Sequence, residues 1–423
     1  MELTKTKFKK TELGLIPEDW DSLDLNELGA TGRPVIKAGP FGSSLKKEYY
    51  VSEGYKIYGQ EQVIKNDAFY GDYFINQERY RKLKSCEVIP GDILLSLVGT
   101  FGKILVIPDN ALKGIINPRL LRISVDKTKF HIEYISHFLK STKALEFLES
   151  KLQGGTMGVL NAGILKSFQI PLPPTLTEQK AIATALSDVD DLIANLDKLI
   201  TKKKAIKQGA MQQLLTPNEK WINTSLIELA ENKKNQFDDG DWIESEYIIS
   251  QGVRLIQTGN IGIGVFKDKG NKKYISEESF NKLNCKEVLK GDLLICRLAE
   301  PAGRACVMPS IGEDKVVTSV DVSIFRGNPE IINRDFLSQL FTTNGWFQKV
   351  IEKVGGTTHK RISRGALGKI NIEVPLFEEQ KRIALVLSDM DAEIEQLETK
   401  KAKYQDIKQG MMQELLTGKT RLV

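Results

Sequence analysis

Apolar residues recur at alternating intervals of four and three positions in two long stretches of this chain. The first stretch carries Ile182, Leu186, Val189, Ile193, Leu196 and Ile200, and the second carries Ile383, Leu387, Met390, Ile394 and Leu397. This spacing is the heptad seam of a coiled-coil helix. A helix of roughly 40 residues is about 60 Å long, which exceeds the width of an ordinary domain. We therefore predict that the two helices pair antiparallel, although packing of each seam on its own domain is the alternative.

The sequence also marks where these helices begin and end. Thr175 followed three residues later by Glu178 has the spacing of a capping box at the start of the first helix. Pro217 and Gly418 follow the two helices and favour their termination.

The long helices belong to an internal duplication. An offset of 201 residues superimposes residues 178–216 on 379–417 without a gap, and 21 of these 39 positions are identical. The same offset pairs Trp20 with Trp221. The chain is therefore a tandem repeat, in which each unit runs from its Trp through a globular region into a long helix.

The globular regions contain short apolar runs bounded by Gly, Pro or Asp, a pattern typical of β-strands. The runs are "YKIYG", "GDILLSLVG", "KILVI" and "LLRISV" in the first region and "VRLIQTGNI", "GDLLICRLA", "ACVMP" and "DVSIF" in the second. A helix is predicted after each set, over about residues 130–152 and 333–354. The predicted fold class is mixed α/β, with two pseudo-repeated α/β domains separated by two long helices that form an antiparallel coiled coil. The predicted segments are 1–174, 175–217, 218–375 and 376–423.

Composition narrows the class of protein without naming a function. The 423 residues exceed one ordinary core, and a net charge of +5 permits a polyanionic partner without requiring one. The four cysteines form no C-x-x-C pair, so neither a disulfide framework nor a metal site is predicted. No apolar run is long enough to span a membrane, and the N-terminus lacks the apolar segment of a signal peptide. We expect a cytoplasmic protein with no membrane partner.

No catalytic motif is present in the sequence. "LLTGKT" is not a phosphate-binding loop, because Gln413 stands where the first glycine is required. His131, His137 and His359 are scattered at spacings that suit no metal ion. An enzyme with an unrecognised site stays open as a minor alternative, and a coiled-coil scaffold with two protein-binding α/β domains is the main one.

Polar and basic loops occur at corresponding places in the two globular regions. They are "GPFGSSLKKEYY", "QERYRKLK" and "GGTMGVLNAG" in the first and "FKDKGNKKY" and "GGTTHKRISRG" in the second. Lys and Arg can neutralise phosphates, while Ser, Thr, Asn and Tyr can reach base edges. Each loop alone is typical of a solvated surface, but their recurrence in two related domains favours nucleic-acid recognition.

Together these motifs resemble the specificity (S) subunit of Type I restriction-modification systems. The resemblance rests on the "GGT" loops, the "PLPP" and "VPL" segments, and the helices that begin "EQK.IA..LS..D" and end "IKQG.MQ.LLT". It extends over essentially the whole chain. It implies a non-catalytic subunit whose two target recognition domains each bind half of a split DNA site, while the paired helices fix the separation of the halves.

The resemblance also implies partners and cofactors. We expect double-stranded DNA, two methyltransferase (M) subunits and restriction (R) subunits as partners. No cofactor is expected in this chain, and S-adenosylmethionine and ATP with Mg are expected in the partner subunits. The two recognition regions differ in their loops, so the two half-sites are expected to differ.

Site residues follow from the loops and from the helix motif. The predicted DNA contacts are Ser43, Ser44, Lys46, Lys47, Arg79, Arg81, Thr156 and Asn161 in the first repeat, and Lys267, Lys272, Lys273, Arg297, Thr357, His359, Lys360 and Arg361 in the second. The predicted contacts in the helix pair or with the M subunit are Glu178, Gln179, Asp188 and Ile193, with Glu379, Gln380, Asp389 and Ile394 as their equivalents. No catalytic or metal-binding residue is predicted.

Overall fold

The computed structural model describes residues 7–12, 14–30, 32–97, 102–152, 162–356 and 360–422. The chain divides into two compact units, the first formed by residues 1–198 and 399–423 and the second by residues 199–398. Each unit thus contains one globular region and half of each long helix. The division into four segments along the chain stays a prediction, because the compact units cut across both long helices.

Short strands form the frame of the first unit. They are β1 (Phe8–Thr11), β2 (Gly14–Pro17), β3 (Asp21–Asp24), β4 (Ile36–Ala38), β5 (Tyr50–Val51), β6 (Tyr55–Tyr58), β7 (Phe74–Ile75), β8 (Glu87–Val88), β9 (Ile93–Ser96), β10 (Ile104–Val106), β11 (Gly114–Ile116), β12 (Leu120–Ile123) and β13 (Gln169–Leu172). One sheet has the order β10-β9-β12-β4 and another the order β5-β7-β6-β11-β8, while β1-β2 and β3-β13 form two-stranded pairs. Its helices are α1 (Gln60–Lys65), α2 (Gln77–Lys82), α3 (Ile132–Leu139), α4 (Thr142–Leu152), α5 (Ala162–Lys166) and the first half of α6 (Leu176–Leu214).

The second unit has a smaller set of strands. They are β14 (Ile222–Ser225), β15 (Phe237–Asp239), β16 (Val253–Ile256), β17 (Lys273–Ile275), β18 (Leu293–Cys296), β19 (Ala305–Val307), β20 (Val316–Thr318), β21 (Val322–Phe325) and β22 (Asn371–Val374). The sheets have the orders β15-β21-β18-β19 and β17-β16-β20, and β14 pairs with β22. The helices are α7 (Leu226–Leu229), α8 (Glu277–Lys282), α9 (Arg334–Leu340), α10 (Asn344–Ile351), α11 (Arg364–Gly368) and α12 (Phe377–Leu415), whose last turns belong to the first unit.

The two units repeat the same strand arrangement. The order β4-β12-β9-β10 in the first is matched by β15-β21-β18-β19 in the second. In the other sheet, β6 pairs parallel with β11 and antiparallel with β7, as β16 does with β20 and β17. The strands predicted from the apolar runs are confirmed, and so is the duplicated α/β architecture.

Each helix predicted after the strands is two helices. Ser141 separates α3 from α4, and its hydroxyl accepts a hydrogen bond from the backbone N–H of Ala144. Thr343 does the same between α9 and α10, where it accepts from Trp346 N–H. The predicted continuous helices over 130–152 and 333–354 are therefore wrong, because a hydroxyl cap starts a second helix in each.

Both long helices have 39 residues, and each begins on the core of its own globular region. Ile182 and Leu186 are buried in the core of the first unit, and Ile383 and Leu387 are buried in the core of the second. The packing that stood as the alternative therefore holds for the first turns of each seam. The last turns of α12, at Leu415, lie in the core of the first unit, and those of α6, at Leu214, pack against the core of the second.

Within each unit, the later turns pair antiparallel with the other long helix. In the first unit, the ammonium of Lys408 lies 2.5 Å from Asp190 and that of Lys401 lies 2.6 Å from Asp197. Residue numbers therefore fall along α12 as they rise along α6, which is the pattern of an antiparallel pair. The corresponding pairs of the second unit are Lys207–Asp391 at 2.5 Å and Lys204–Glu398 at 2.6 Å. The predicted antiparallel pairing is confirmed in both units.

Candidate nucleic-acid interface

A cleft lies at the carboxyl ends of the parallel strands β6 and β11 in the first unit. Its volume is about 600 Å³. Gln60 follows β6, Asn117 and Arg119 follow β11, and Lys47 and Tyr73 line the cleft as well. The remaining lining residues are Tyr50, Ile57, Glu61 and Pro118. Because β6 and β11 are parallel, their ends meet at one edge of the sheet and bring these side chains together.

The second unit has a cleft at the equivalent edge. It is smaller, at about 250 Å³, and lies at the end of β16, which is parallel to β20. Gln257 and Thr258 follow β16, while Lys269 and Asn271 come from the segment before β17 and Lys273 is its first residue. The remaining lining residues are Arg254, Leu255, Gly259 and Asn260. The end of the equivalent strand, β6 or β16, therefore carries a different set of polar groups in each repeat.

A buried cation holds the loop beside each cleft. Lys56 on β6 is 2% exposed, and its ammonium donates to the carbonyl oxygens of Phe69 at 3.0 Å and Gly71 at 2.7 Å. Burial lowers the pKa of Lys56. Arg254 stands at the equivalent position of β16, and its guanidinium donates to Asp268 at 3.2 Å. These two cations are positioning groups, because the ammonium of Lys56 and both Nη atoms of Arg254 donate to protein acceptors.

The cleft of the first unit offers both donors and acceptors. The amide nitrogen of Gln60 donates to the hydroxyl of Ser96 at 2.9 Å, which fixes the side chain at the cleft floor. Burial, together with Glu61 and Tyr73, raises the pKa of Tyr50, so its phenol keeps the proton that it can donate. Hydrogen-bonding groups held by the fold in this way can distinguish base edges.

The structure brings some of the predicted DNA contacts of the first repeat together. Lys47 lines the cleft, and Ser43 and Ser44 lie in the short 3-10 turn just before it. Lys46 is exposed and lies 3.6 Å from Glu48. The guanidinium of Arg79 lies 3.5 Å from the ring centre of Tyr49 on the neighbouring segment, and Arg81 is exposed on the same helix, α2. Thr156 and Asn161 lie outside the described residues.

The predicted contacts of the second repeat are more dispersed. Lys273 lines the cleft, Lys267 is exposed, and Lys272 lies 3.3 Å from both Asp268 and Glu313. Lys360 and Arg361 are exposed in a separate segment, where Arg361 lies 3.5 Å from Asp321. Thr357 and His359 lie outside the described residues.

Arg297 is a correction to the predicted contacts. It is 2% exposed, and its guanidinium donates to the carbonyl oxygens of Ile362 and Val320 and lies 3.1 Å from Asp239. Burial lowers its pKa. A guanidinium enclosed by protein acceptors cannot reach a phosphate, so Arg297 organises the loops around it and does not contact DNA.

Several cleft residues were not predicted from the sequence. They are Gln60, Asn117 and Arg119 in the first cleft and Gln257, Lys269 and Asn271 in the second. Gln60, Asn117 and Arg119 follow the parallel strands β6 and β11, and Gln257 follows β16, whereas Lys269 and Asn271 precede β17, the antiparallel neighbour of β16. Polar residues directly after an apolar run were a visible signal, but the parallel pairing that brings two such segments together was not.

The chain matches the model of one known protein family over most of its length. The family model of the type I restriction modification DNA specificity domain matches the chain twice, over residues 17–208 and 218–404. The chain belongs to this family. It is therefore a specificity subunit of the type I restriction-modification class, non-catalytic, with two target recognition domains.

Curated relatives of this specificity subunit match it over most of its length, and two of them over almost all of it. The putative type I restriction enzyme MjaX specificity subunit of Methanocaldococcus jannaschii is 28% identical over 439 residues, with 98% of this chain and 97% of the relative covered. The MjaVIII specificity subunit of the same organism is 26% identical over 453 residues, with 100% and 98% covered. The EcoBI specificity subunit of Escherichia coli is 23% identical over 364 residues, with 78% and 74% covered.

Solved structures show the same fold. The S subunit of the type I restriction-modification system from M. genitalium has a TM-score of 0.59 at 16% identity, with 98% of both chains covered. A chain from a structure on complex assembly and conformational transition of the type I R-M system has a TM-score of 0.52 at 15% identity, with 96% of this chain and 99% of that chain covered.

Two glutamines predicted as helix-pair or M-subunit contacts instead join each long helix to its own recognition domain. Gln179 accepts from the backbone N–H of His131 at 2.9 Å, and Gln380 accepts from that of Asn333 at 2.8 Å. They are 3% and 1% exposed. Each amide oxygen thus binds the backbone at the start of a short helix, α3 in the first unit and α9 in the second. Neither glutamine is therefore free to contact another subunit. Their assignment as contacts is corrected.

Glu178 is also unavailable, because it is 1% exposed and bound by Arg421 within the first unit. Asp188 and Asp389 are exposed at equivalent places on the two helices. Ile193 is half-buried and Ile394 is buried, as members of the heptad seam. Glu379 is half-buried. Of the predicted helix residues, the two aspartates are thus the fully accessible ones.

Two broader properties concern the described part of the chain. No group of three or more His, Cys, Asp or Glu side chains among the described residues is arranged to hold a metal ion. Within the same residues, no helix has the length and apolar character needed to cross a membrane.

Proposed function

We propose that this specificity subunit binds an asymmetric DNA site in two parts, one part per target recognition domain. The observation that carries the proposal is the pair of equivalent clefts. Both lie at the carboxyl end of the equivalent strand, β6 or β16, but they present different side chains, from the segment after β11 in the first cleft and from the β17 side in the second. A duplicated frame with different contact groups is suited to two unlike half-sites.

The chemistry of the clefts supports direct recognition of bases. Gln60 and Asn117 carry amides, which match the N6 and N7 positions of adenine, and Arg119 carries the fork that matches guanine. The second cleft offers the amides of Gln257 and Asn271 and the ammonium groups of Lys269 and Lys273. Exposed lysines such as Lys360 would bind phosphates and position the domain on the duplex.

The proposal includes the partners that carry out the chemistry. Two methyltransferase subunits would dock against the long helices and recognition domains, with Asp188 and Asp389 as accessible positions on those helices. Restriction subunits would join for cleavage. S-adenosylmethionine would then be bound by the methyltransferase subunits, and ATP with Mg by the restriction subunits, with no cofactor in this chain. The complex would act in the cytoplasm, where the DNA is.

A methylation map tests the proposal. Cells that lack other methyltransferases would express this chain with its methyltransferase partner, and modified bases would be mapped across the genome. We expect one motif with two unlike specific parts separated by unspecified bases. Methylation without sequence preference, or a single uninterrupted motif, would contradict the two-part proposal. A protein scaffold would give no methylated motif at all.

A further inference from the structure

The repeated fold places a highly exposed aromatic ring at the same position in both units. Phe41 is 88% exposed and Trp242 is 68% exposed. The strands β4 and β15 are equivalent, and their last residues, Ala38 and Asp239, lie opposite Leu121 and Ser323 of the neighbouring strands. Phe41 and Trp242 each follow that last residue by three positions. The two rings are therefore structural equivalents.

A close backbone approach fixes the segment that leads to each ring against the end of a neighbouring strand. A Cβ atom on Gly39 would overlap the carbonyl oxygen of Asn117, a residue of the first cleft. A Cβ atom on Gly240 would overlap the carbonyl oxygen of Ser319 in the same way. The backbone N–H of Ser319 donates to Ile256, which directly precedes the cleft residue Gln257. Only glycine permits this passage, so the fold fixes the backbone two residues before each ring.

The exposure of these rings requires an explanation. Transferring an aromatic side chain of this size out of water stabilises a fold by about 2 kcal/mol, and neither domain uses that gain here. Exposed apolar side chains occur singly on most proteins. Two aromatic rings kept in water at one equivalent position, each at the edge of a polar cleft, are less easily assigned to chance.

We propose that Phe41 and Trp242 stack on bases of the bound DNA at the edge of the two clefts. The inference rests on the proposed function and adds a specific contact to it. An aromatic ring stacks on the face of a base or inserts at a base step, and the neighbouring polar groups then read base edges. The rings act as positioning groups that set the register of the duplex on each domain.

The charges around the two rings differ. In the first unit, Lys47 and Arg119 line the cleft and are exposed. Beside Trp242, Asp241 lies 3.1 Å from Lys286, and Glu244 accepts the indole N–H at 3.2 Å. Stacking on a base face requires no cation next to the ring. The acidic neighbours of Trp242 place it away from phosphates, so its contact with DNA should depend little on salt.

The test uses the complex of this chain with its methyltransferase subunits and a labelled duplex that carries the mapped site. We expect Phe41→Ala and Trp242→Ala each to weaken binding about 10-fold, the size that loss of one base stack produces. The dependence of affinity on salt should stay unchanged, because no phosphate contact is lost. Phe41→Trp should retain affinity. Leu15→Ala and Ile222→Ala are matched controls, since these residues are 59% and 56% exposed but lie on other strands.

A fluorescent base separates stacking from other losses. With 2-aminopurine placed in turn along each half-site, outside the methylated base, the wild-type complex should change its emission at one or two positions of each. Phe41→Ala should abolish the change in one half-site only, and Trp242→Ala in the other. If both variants bind and fluoresce like the wild type, the inference is wrong while the two-part recognition stands. If the wild type itself does not discriminate the mapped site, the proposed function fails. If the variants lose methyltransferase subunits on gel filtration, the rings contact protein and the inference is overturned.

Discussion

Arg421 binds Glu178 across 243 positions of the chain, with its Nε atom 2.5 Å from Oε1 and an Nη atom 2.9 Å from Oε2. The same guanidinium donates to both carboxylate oxygens of Asp19 at 3.0 and 2.9 Å and lies over the ring of Trp20. The hydrogen bond to Glu178 is the main cause that raises the pKa of Arg421. The end of the chain, its first strands and the start of α6 are thereby joined in the first unit.

Removing this arginine should destabilise the first unit. Arg421→Ala leaves the carboxylate of Glu178, 1% exposed, without its partner, and breaking such a buried pair costs about 3 kcal/mol. Arg421→Lys should recover part of the loss, since Lys cannot bind two carboxylates with a planar fork. Urea unfolding, with hydrogen exchange at residues 176–198 to locate the change, measures both. Lys419→Ala is the control, because Lys419 is an exposed partner of Glu414 at 3.7 Å; equal stability of the two alanine variants would contradict the prediction.

The ion pairs between the long helices should contribute much less. Lys207 and Asp391 are 17% and 46% exposed, so water screens their attraction. A double-mutant cycle on Lys207→Ala and Asp391→Ala should give a coupling of about 0.5 kcal/mol that falls as salt is added. A coupling above about 2 kcal/mol would mean that this pair, and not the apolar seam, holds the helices together.

His137 should make the first unit sensitive to acid. Burial, with a smaller effect of Lys140, lowers the pKa of His137 from 6.5 to about 4, and Asp190 only partly opposes this. Its Nε2 atom lies 3.0 Å from the hydroxyl of Ser187. The unfolded chain therefore binds a proton that the folded chain does not between about pH 6.5 and 4. The contribution of His137 to the free energy of unfolding is therefore fully present above pH 6.5. It falls by up to about 3 kcal/mol as the pH drops toward 4.

Unfolding of His137→Gln from pH 7.5 to 4.5 checks this sign and size. Gln339 occupies the position equivalent to His137 in the second unit, so the fold already accepts this side chain. Below pH 6.5 the variant should lose stability less steeply than the wild type. The difference between the two slopes should be at most about 1.4 kcal/mol per pH unit, the value for one proton. Parallel curves for variant and wild type would show that His137 does not titrate as argued.

Phosphate contacts should be visible in the salt dependence of DNA binding. Replacing Lys360 by Ala should weaken binding to all sequences and reduce the slope of log affinity against log salt by about 0.9, the value for one phosphate. Lys290→Ala is a control, as this exposed lysine lies outside the proposed contacts. An unchanged slope for Lys360→Ala would remove Lys360 from the phosphate contacts.

The sequence predicted those features that depend on short-range spacing. The heptad seam gave the long helices, the offset of 201 gave the duplication, and apolar runs gave strands such as β9 and β18. The break between α3 and α4 was not predicted, because Ser141 can cap a helix only when the chain turns at that residue. A serine or threonine inside a helical pattern does not by itself indicate such a turn.

The site was harder to predict because its contacts are distant in sequence. Arg297 carries the kind of side chain that binds DNA. Its guanidinium is nevertheless enclosed by carbonyl oxygens of residues 320 and 362, which are distant in the sequence. Phe41 and Trp242 are 201 positions apart, so the repeat did contain a signal for them. Their exposure, however, depends on the path of the backbone past Asn117 and Ser319, which apolar patterns do not reveal.

The exchange of one recognition domain tests the central claim most directly. Residues 20–169, from Trp20 to the start of β13, would be replaced by the corresponding region of a relative with a different mapped site, and methylation would be mapped again. We predict that one half of the motif changes to that of the relative, while the other half and the number of bases between them stay the same. A change in both halves would contradict the assignment of one half-site to each repeat.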